Sequence, residues 1–581
     1  MKHPDFLHAY REAGVIGRDD ITAAALLVEM ASRDGAAEPD RLTWLGMCLA
    51  LRTVRDGHTC VDLDRIEAWR GEIDLSAEKH LDWPTEADSW VATLQAAGGL
   101  VGQPDDRKPF ILDGHRLYLA RSHAEEVAIA TAIRARATAG TIRILLGGPG
   151  TGKTTKVAQD LVTRFQDDAS TGKTTAVALA APTGKAAARM AEALQKACTK
   201  GKVAASVEAK ERVLQFKPTT VHKLLGSNPS RGNRFEYRAD NRLPYDLVIV
   251  DEASMLSSSL MHHLLAAVRD DATVMLVGDP NQLASVDAGT ALGDIAVFGR
   301  DAYEGTPLYG CIKTLTECRR TESTEILELA EAIRSENTEA AKNLLAPGGD
   351  PIAWVDPADK KKLEELTEEV VRHATSLRTL AYGTSADAVL KKHVELQVLC
   401  AHREGPMGVA GWNTRVEKQL DIRPGFAWYT GRPVMVTRNS PSLRLANGDV
   451  GVVMSSGDTR TAVFGIPDAH GQPITLPVSR LEDIDTVHAL TIHKSQGSEY
   501  GHAVVVLPER SSRIVTRELL YTGVTRARTK VTIVGPWEVI AAAITTPIRR
   551  ATGLASRLQA PPNADVAART GWGARASVSS R

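Results

Sequence analysis

The sequence predicts an α/β protein that is built on parallel β-sheets and divided into several domains. Short apolar runs that alternate with helical stretches occur at residues 142–146, 176–180, 247–250 and 274–277, and again at 504–507 and 531–534. This alternation is typical of parallel strands whose connecting helices cover both faces of a sheet. With 581 residues, the chain is too long for one hydrophobic core, and its length predicts roughly three or four domains.

The overall composition is that of a soluble globular protein. Hydrophobic residues make up 43% and charged residues 24%, and the formal net charge is −1. The bulk charge therefore does not indicate a nucleic-acid partner, although it allows a local basic channel. The six cysteines are scattered without a C-x-x-C pair, which favours a reducing compartment over a disulfide framework or a zinc ribbon. The sequence has neither a signal-peptide core nor a membrane-length apolar run, so we expect a cytoplasmic protein without a membrane partner.

Residues 1–115 are interpreted as a helical accessory or docking domain. Two segments, 21–31 and 43–55, have the periodicity of amphipathic helices. His58 and Cys60 stand close together, but no second pair of ligands follows them. A packed cysteine beside a surface histidine is therefore favoured over a metal site.

The most specific motif of the chain follows the apolar run at 142–146. Residues 147–154, GGPGTGKT, match the phosphate-loop pattern G-x-x-x-x-G-K-[ST] between a predicted strand and a predicted helix at 155–165. Glycines let backbone N–H groups turn toward phosphate oxygens, and the helix N-terminus adds positive potential. A chance glycine-rich turn would not have both neighbours. We therefore predict that ATP binds at Gly147, Gly148, Pro149, Gly150, Thr151, Gly152, Lys153, Thr154 and Thr155.

Five side chains are predicted to carry the phosphate chemistry. Lys153 would reach the β- and γ-phosphates, and the Thr154 hydroxyl would ligate Mg²⁺. Asp251 would hold Mg²⁺ directly or through water, and Glu252 would polarise the attacking water. A surface acidic pair is disfavoured because the preceding run, 247–250, should be buried. Gln282 follows the next run and would touch the γ-phosphate as a sensor.

Two polar turns are weaker candidates for binding DNA. Pro182, Thr183 and Lys185 lie between an apolar run and a helix start, where a phosphodiester would bind. His222 lies in a second turn, 219–225, that would act in the same way. Taken alone, each turn is weak evidence for DNA binding, because turns that contain a solvated lysine are common.

Together these motifs resemble superfamily 1 helicases, and within them the RecD family of RecBCD-type enzymes (exodeoxyribonuclease V). The resemblance rests on GGPGTGKT, APTGKAAAR, TTVHKLL, DEAS and GDPNQLASVDAG in the first half of the chain. In the second half it rests on LTECRR, VLCAHREGPMGVAGWN, GRPVM, NGDVG, TIHKSQGSE and RELLYTGVTRAR. It covers roughly residues 110–555 strongly, and RDGHTCVDL at 55–63 extends it weakly toward the N-terminus.

The resemblance implies two RecA-like motor domains with parallel sheets. The expected boundaries are 116–310 for motor domain 1, and 311–424 with 486–556 for motor domain 2. Short strands and turns at 425–485 indicate a small inserted β-barrel. A small hairpin is expected at 226–243, as a strand-separating wedge or as a plain surface hairpin, and a disordered tail at 557–581.

The resemblance also implies roles for single residues. Arg320 and Arg526 would be arginine fingers that reach the γ-phosphate from the second motor domain, although each could form an ordinary salt bridge and Arg319 could replace Arg320. Gly497 and Glu499 would contact the nucleotide edge. Thr183, His222, His493 and Ser495 would line a single-stranded DNA track. Trp428 and Arg432 are further candidates for DNA contact, but a place in the barrel core is favoured for Trp428.

The implied function is that of an ATP-dependent DNA helicase that moves 5′ to 3′ on single-stranded DNA and acts on duplex ends. It would work with RecB-like and RecC-like subunits in double-strand-break repair, with nuclease activity in a partner. Two alternatives remain open: a stand-alone RecD-like helicase, and a DNA-binding scaffold that uses ATP only as a switch. The sequence departs from the superfamily at 121–126, where the glutamine that reads adenine is absent.

Overall fold

The computed structural model describes residues 3–66, 81–84, 86–199, 206–228, 234–285, 287–296, 301–316, 323–383, 385–423, 427–457, 459–467 and 472–559. Within these residues, no helix is both long and apolar enough to cross a membrane. The chain forms an N-terminal region, two α/β units with parallel sheets, and an antiparallel sheet inserted into the second unit.

The N-terminal region combines helices with a small sheet. Its elements are α1 (Leu7–Glu12), α2 (Arg18–Arg33), α3 (Arg41–Thr53), β1 (Cys60–Asp62), α4 (Ala87–Ala96), β2 (Val101–Gly102), β3 (Phe110–Asp113) and β4 (Arg116–Leu119). The sheet order is β1-β4-β3-β2, and Trp44 and Trp90 are among the large side chains buried in its core. The sequence-based prediction of a helical domain ending at 115 missed this sheet, because strands of two to four residues are too short to establish an alternating pattern.

The first α/β unit contains all the strands predicted for it, each within one residue of the expected ends. Its strands are β5 (Ile142–Gly147), β6 (Val177–Ala181), β7 (Thr219–Thr220), β8 (Leu247–Val250), β9 (Thr273–Gly278) and β10 (Ile312–Leu315). They pair in parallel in the order β10-β5-β9-β8-β6-β7. Strand β10 therefore belongs to this sheet, and the expected boundary at 310 is wrong because the strand pairs with β5 after the long connection from β9.

Helices cover both faces of this sheet. They are α5 (Ala120–Ala139), α6 (Lys153–Thr171), α7 (Gly184–Thr199), α8 (Val207–Leu214), α9 (Val221–Leu224), α10 (Ser258–Ala267) and α11 (Ala291–Ala296). Alternate strand residues divide between two cores, so that Ile144 packs with α5 and α10 and Leu145 packs with α6. This division is the consequence of parallel strands whose side chains alternate between faces.

The hairpin predicted at 226–243 is not formed by the part of this segment that the structure describes. Residues 229–233 lie outside the described residues. In the rest, Arg238 and Asn241 form an antiparallel bridge across a tight turn, and Leu243 pairs in parallel with Val268 outside the segment. Phe235 and Tyr237 pack against the core of the first unit, so they stabilise a covering loop.

The second α/β unit and the inserted sheet share one stretch of chain. Its elements are α12 (Thr324–Arg334), α13 (Thr338–Leu345), β11 (Ile352–Val355), α14 (Lys360–Leu380), α15 (Ala386–His393), β12 (Leu396–Cys400), α16 (Val409–Gln419), β13 (Pro433–Val436), β14 (Val450–Ser456), β15 (Thr459–Pro467), β16 (Pro473–Pro477), β17 (Ile484–Thr486), β18 (Ala489–Thr491), β19 (Tyr500–Val506), α17 (Arg517–Val524), β20 (Ala527–Val534), α18 (Trp537–Thr545) and α19 (Leu554–Gln559). The parallel sheet has the order β11-β20-β19-β12-β18.

The inserted sheet is antiparallel, with the order β16-β15-β14-β13-β17. A closed barrel would require its outer strands, β16 and β17, to pair with each other, and the pairings of the described residues do not include that one. The prediction of short strands is confirmed, whereas the predicted barrel is not: the described residues form a five-stranded antiparallel sheet. Trp428 packs beside the core of this sheet, as the favoured interpretation of that residue requires.

The end of the described chain returns to the first α/β unit. After α18, residues 546–553 leave the second unit, and Leu554 and Leu558 of α19 enter the core of the first unit. The predicted boundary at 556 and the predicted tail from 557 are therefore wrong for residues 557–559, which complete this helix. Residues 560–581 lie outside the described residues.

Candidate nucleotide and DNA site

The phosphate loop lies at the carboxyl end of strand β5, between β10 and β9 in the first sheet. Gly150 and Gly152 adopt the left-handed conformation, with φ of 76° and 85°, which glycine tolerates at little cost. Lys153 is the first residue of α6, so the loop leads directly into a helix N-terminus. This geometry aims backbone N–H groups and the positive end of the helix at one point, which makes it suited to bind phosphate.

Lys153 is folded over this loop. Its Nζ donates hydrogen bonds to the carbonyl oxygens of Gly147 at 2.6 Å and Gly148 at 3.0 Å. The Thr151 hydroxyl also donates to Gly148, at 2.8 Å. The ammonium group is thus held at the loop, where a phosphate oxygen would replace a carbonyl as its acceptor.

The sheet order brings the acidic pair to the same edge. Strands β5 and β8 both pair with β9, so Asp251 follows a strand that is separated from the loop strand by β9 alone. Asp251 is buried, and its pKa is raised to about 6 by burial and by the neighbouring Glu252 carboxylate, while the Lys153 charge lowers it. The charge of Lys153 therefore acts on Asp251 directly.

Glu252 has an unusual backbone conformation. Its φ is 53° and ψ is 37°, the left-handed region, which a residue with a side chain adopts at a cost of roughly 1–3 kcal/mol. Its N–H donates to Asp251 Oδ1 at 2.9 Å. Since such strain persists mainly where the surrounding structure enforces it, this carboxylate is a strong candidate for a functional group.

Gln282 joins the first unit to the second. Its Nε2 donates to Asp279 Oδ2 at 3.0 Å, and its Oε1 accepts from Arg526 Nη2 at 3.0 Å. Arg526 is 4% exposed and also donates to the carbonyl oxygens of Thr522 and Ser498. The sensor predicted in one unit and the arginine finger predicted in the other are therefore in direct contact.

Two residues near the contact between Gln282 and Arg526 were missed by the sequence-based prediction. Asp279 is fully buried, and burial raises the pKa of its carboxyl group. Tyr521, on α17 of the second unit, donates to Asp279 Oδ2 at 3.4 Å, and a Cβ placed on Gly148 would lie 3.0 Å from its hydroxyl oxygen. Both residues stand inside motifs that were recognised, GDPNQ and ELLYTGVTRAR, but no rule of spacing singles them out.

The other predicted nucleotide contacts differ in their placement. Gly497 adopts φ of 72° two residues after the 3-10 turn His493–Ser495. Glu499 lies 3.9 Å from the guanidinium of Arg189 on α7, which makes a second link between the two units. Arg320, the other predicted arginine finger, lies outside the described residues together with Arg319.

Four predicted DNA contacts lie at one edge of the first sheet. Pro182, Thr183 and Lys185 follow β6, and His222 follows its parallel neighbour β7. The Thr183 hydroxyl accepts from Ala186 N at 3.2 Å. Burial and the charge of Arg189 lower the pKa of Lys185 to about 8. The structure thus places a desolvated cation among polar groups at the carboxyl edge of the sheet.

The remaining residues predicted to contact DNA differ from one another in their burial and in their contacts. His493 is half-buried, and burial lowers the pKa of its imidazole. Ser495 is fully buried, and its hydroxyl donates to the Ile492 carbonyl at 2.7 Å, so the structure does not bring it to a surface. The Arg432 guanidinium lies 5.3 Å from the centre of the Trp428 ring and donates to Thr486 at 2.9 Å.

Comparisons with known families match three separate stretches of the chain. A family model described as the N-terminal domain of RecBCD enzyme subunit RecD matches residues 12–118. An AAA domain model matches residues 130–288, and a UvrD-like helicase C-terminal domain model matches residues 486–534. The second and third matches include the phosphate loop and Arg526 respectively.

Similar proteins extend over almost the whole chain. The RecBCD enzyme subunit RecD of Mycolicibacterium smegmatis is 41% identical over 560 residues, covering 90% of this chain and 95% of that protein. The RecD subunit of Mycobacterium tuberculosis H37Rv is 38% identical over 95% of this chain and 96% of its own. The ATP-dependent RecD2 DNA helicase of Deinococcus radiodurans is 32% identical over 69% of this chain and 48% of its own. The chain therefore belongs to the RecD family of superfamily 1 DNA helicases.

Proposed function

We propose that the protein is a DNA helicase that moves 5′ to 3′ along single-stranded DNA. ATP hydrolysis in the cleft between its two α/β units would drive this movement. The observation that carries this proposal is the hydrogen bond between Arg526 Nη2 and Gln282 Oε1 at 3.0 Å. It joins one unit to the other within the site of the phosphate loop. A γ-phosphate bound there would compete for both side chains, so hydrolysis would change the contact between the two motor domains.

The polar groups of the site fit a magnesium nucleotide. Thr154 offers a hydroxyl and Asp251 a carboxylate, which are ligands that Mg²⁺ prefers. The cation would neutralise phosphate charge, and it would also offset the repulsion between the buried Asp251 and Glu252. Lys153 would hold the β- and γ-phosphates, and Glu252 would orient the attacking water, with Gln282 and Arg526 at the γ-phosphate.

The second part of the proposal is assembly with RecB-like and RecC-like subunits at double-stranded DNA ends. Among the described residues, α2 exposes two large apolar side chains four positions apart, Leu26 at 46% and Met30 at 61%. Such neighbours on one helix face form an apolar strip that a partner protein would cover. Relatives that match nearly the full length of this chain are RecBCD subunits by name, which supports partners over a stand-alone enzyme.

Unwinding by the purified chain tests the motor part of the proposal. The substrates are duplexes with a 5′ or a 3′ single-stranded tail, and Lys153→Ala is the control that removes the phosphate contact. We expect unwinding from the 5′ tail only, and none with the variant. Preference for the 3′ tail would contradict the polarity, and DNA-stimulated ATP hydrolysis that survives Lys153→Ala would contradict the site.

A pull-down of RecB-like and RecC-like proteins tests the assembly. The double variant Leu26→Glu/Met30→Glu should lose the complex and keep the ATPase activity of the isolated chain. Retention of the complex would contradict this docking surface. A chain that unwinds alone and binds neither subunit would favour the stand-alone helicase, whereas nucleotide-dependent DNA binding without turnover would favour the scaffold.

A further inference from the structure

We infer that Arg550 is a positioning residue for Gln282, and that the C-terminal strap (residues 546–559) links the N-terminal region to the nucleotide cleft through it. This inference rests on the sensor role proposed above for Gln282. The strap leaves the second α/β unit after Thr545 and ends in the core of the first unit. On its way it contacts two elements that are distant in sequence.

The first element is the segment that directly follows Gln282. The Arg550 guanidinium donates to three of its backbone carbonyl oxygens, those of Ser285, Asp287 at 2.8 Å and Gly289 at 3.2 Å. A planar guanidinium presents five N–H donors in a fixed fork, so it holds several carbonyls in one arrangement more rigidly than an ammonium group with three rotating donors. Arg550 therefore fixes the path of the backbone within a few residues of the sensor.

Leu283, the residue directly after Gln282, is held by the second unit. Its N–H donates to the Thr522 hydroxyl at 3.0 Å, and Gln496 Nε2 donates to its carbonyl at 2.8 Å. The segment that follows Gln282 is thus anchored twice, first at Leu283 by the second unit and then at the carbonyls that Arg550 holds. Loss of the Arg550 contacts would leave Leu283 as the remaining anchor of the two, and a shift of the backbone there would move the Gln282 amide relative to Asp279 and Arg526.

The second element is the N-terminal loop around Gly57. The Gly57 carbonyl accepts from Gly289 N–H at 3.0 Å, and a Cβ on Gly57 would lie 3.0 Å from Arg550 Cζ. On the strap, Ala551 N–H donates to His58 Nδ1 at 2.9 Å, and the Ala551 carbonyl accepts from Thr59 N–H at 3.0 Å. The N-terminal loop is consequently in contact both with Arg550 and with the segment that Arg550 holds.

The packing at this junction leaves little room for movement. Gly289 has φ of +81°, and a Cβ there would come within 1.8 Å of Ser258 Oγ and 3.1 Å of Thr59 Cγ2. Glu126, fully buried, accepts hydrogen bonds from Thr59 and, at 2.9 Å, from the Thr552 hydroxyl. A displacement of the N-terminal loop would therefore be transmitted to the carbonyls beside Gln282 rather than absorbed by a gap.

The test uses the full chain with oligo-dT and measures kcat and KM for ATP hydrolysis. We expect Arg550→Ala to lower kcat by about tenfold, equivalent to about 1.4 kcal/mol of transition-state stabilisation, with KM for ATP changed less than about twofold. The phosphate loop binds the nucleotide without Arg550, so the loss should be confined to the chemical step. Arg550→Lys, which keeps the charge without the fork, should restore less than half of the lost rate.

Arg557→Ala is the matched control on the same strap. Arg557 binds Asp113, and its Nε lies 3.7 Å from Glu126 Oε2. Within the described part of the chain, its guanidinium does not hydrogen-bond to the carbonyls after Gln282. The control variant should lower the thermal unfolding temperature about as much as Arg550→Ala while leaving kcat within about twofold. An equal loss of kcat in both variants would overturn the inference, since general loosening of the strap would then explain it.

A double-mutant cycle separates this inference from the proposed role of Gln282. In the Gln282→Ala background, Arg550→Ala should lower kcat by less than about twofold, because its effect acts through the missing side chain. The same tenfold loss in both backgrounds would overturn the inference and leave the sensor role intact. If Gln282→Ala itself leaves kcat unchanged, the sensor role fails, and the inference fails with it.

Discussion

At the scale of single residues, Glu252 is one of four described non-glycine residues with positive φ, and it directly follows Asp251 at the phosphate-loop edge of the sheet. A glutamate in the left-handed region has no local reason to be there, since strand β8 could end in any turn. Glu252 and the buried Asp251 both carry a carboxylate, so a difference in their roles has to come from their positions. We expect Asp251 to hold the cation and Glu252 to orient the attacking water, as proposed above.

Glu252→Gln should separate nucleotide binding from hydrolysis. The amide keeps the size of the side chain but cannot act as a base, so we expect kcat for DNA-stimulated ATP hydrolysis to fall by roughly 10²–10⁴-fold. Binding of a fluorescent ADP should stay within about twofold, because Lys153 and the loop remain. Asp251→Asn is the comparison, and it should weaken magnesium-dependent nucleotide binding itself.

Hydrolysis by Glu252→Gln at more than a tenth of the wild-type rate would contradict this role. A matching loss of ADP binding would contradict it as well, because the change would then have disturbed the loop.

Lys185 predicts a pH dependence for DNA binding. Its pKa is lowered to about 8 by burial, with Arg189 and Arg526 acting in the same direction and Asp449 opposing them. A DNA phosphate would favour the charged form, so binding above pH 8 requires uptake of a proton. We expect affinity for oligo-dA, measured at constant salt, to fall as the pH rises from 7 to 9.5.

Lys185→Gln is the control for this titration. It should bind more weakly at pH 7 and should lose the slope. A slope that is unchanged in the variant would assign the proton to another group.

At the scale of elements, α11 and the C-terminal strap meet at a buried carboxylate. Asp294 on α11 accepts from the Thr552 hydroxyl at 3.1 Å, and burial with the nearby Glu126 raises its pKa from 3.8 to about 7. Between pH 3.8 and about 7, the Asp294 carboxyl group is charged in the unfolded chain but still neutral in the folded protein. The free energy of unfolding therefore falls as the pH rises through this range. Above pH 7 the folded carboxyl group is charged as well, and the loss is complete.

Asp294→Asn should therefore stabilise the protein, and more so at high pH. We expect the thermal unfolding temperature of the variant to be close to that of the wild type near pH 4 and to exceed it by about 2–4 °C at pH 8. Differential scanning calorimetry at both pH values provides the measurement. A difference that does not depend on pH would contradict the raised pKa.

At the scale of the whole molecule, the two α/β units are joined through a few polar contacts around the nucleotide site. The pairs Gln282–Arg526 and Asp279–Tyr521 both lie beside the phosphate loop. The strap adds a covalent path that begins in the second unit and ends in the first. We therefore expect a bound γ-phosphate to act on the contact between the two units at these pairs.

Arg526→Ala should uncouple the two units. Loss of an arginine finger lowers phosphoryl-transfer rates by about 10³–10⁵-fold, and we expect kcat to fall at least about 10³-fold with little change in KM. Arg526→Lys should not restore the rate, because one ammonium cannot reproduce the fork that spans Gln282, Thr522 and Ser498. A kcat within about tenfold of wild type would reassign Arg526 to a structural ion pair.

Local signals account for what could be predicted from the sequence. The strands β5, β6, β8 and β9 are continuous apolar runs because both of their faces are covered, and such runs are visible without a structure. The phosphate loop is likewise determined locally, since glycine spacing and the adjacent strand and helix define it. Motif resemblance then identified Arg526, which no argument from spacing alone would have found.

Long-range pairing decided the rest. Strand β10 joins the first sheet, and α19 enters its core, because their apolar residues fit surfaces built by segments far away in sequence. The hydrogen bonds from Arg550 to three carbonyl oxygens, and the contact between Tyr521 and Asp279, are not marked by any periodicity in the sequence. The sequence by itself determined the catalytic strand, loop and helix, because those depend on neighbours along the chain. Only the tertiary structure decided which unit holds the sensor in place, because those contacts depend on neighbours in space.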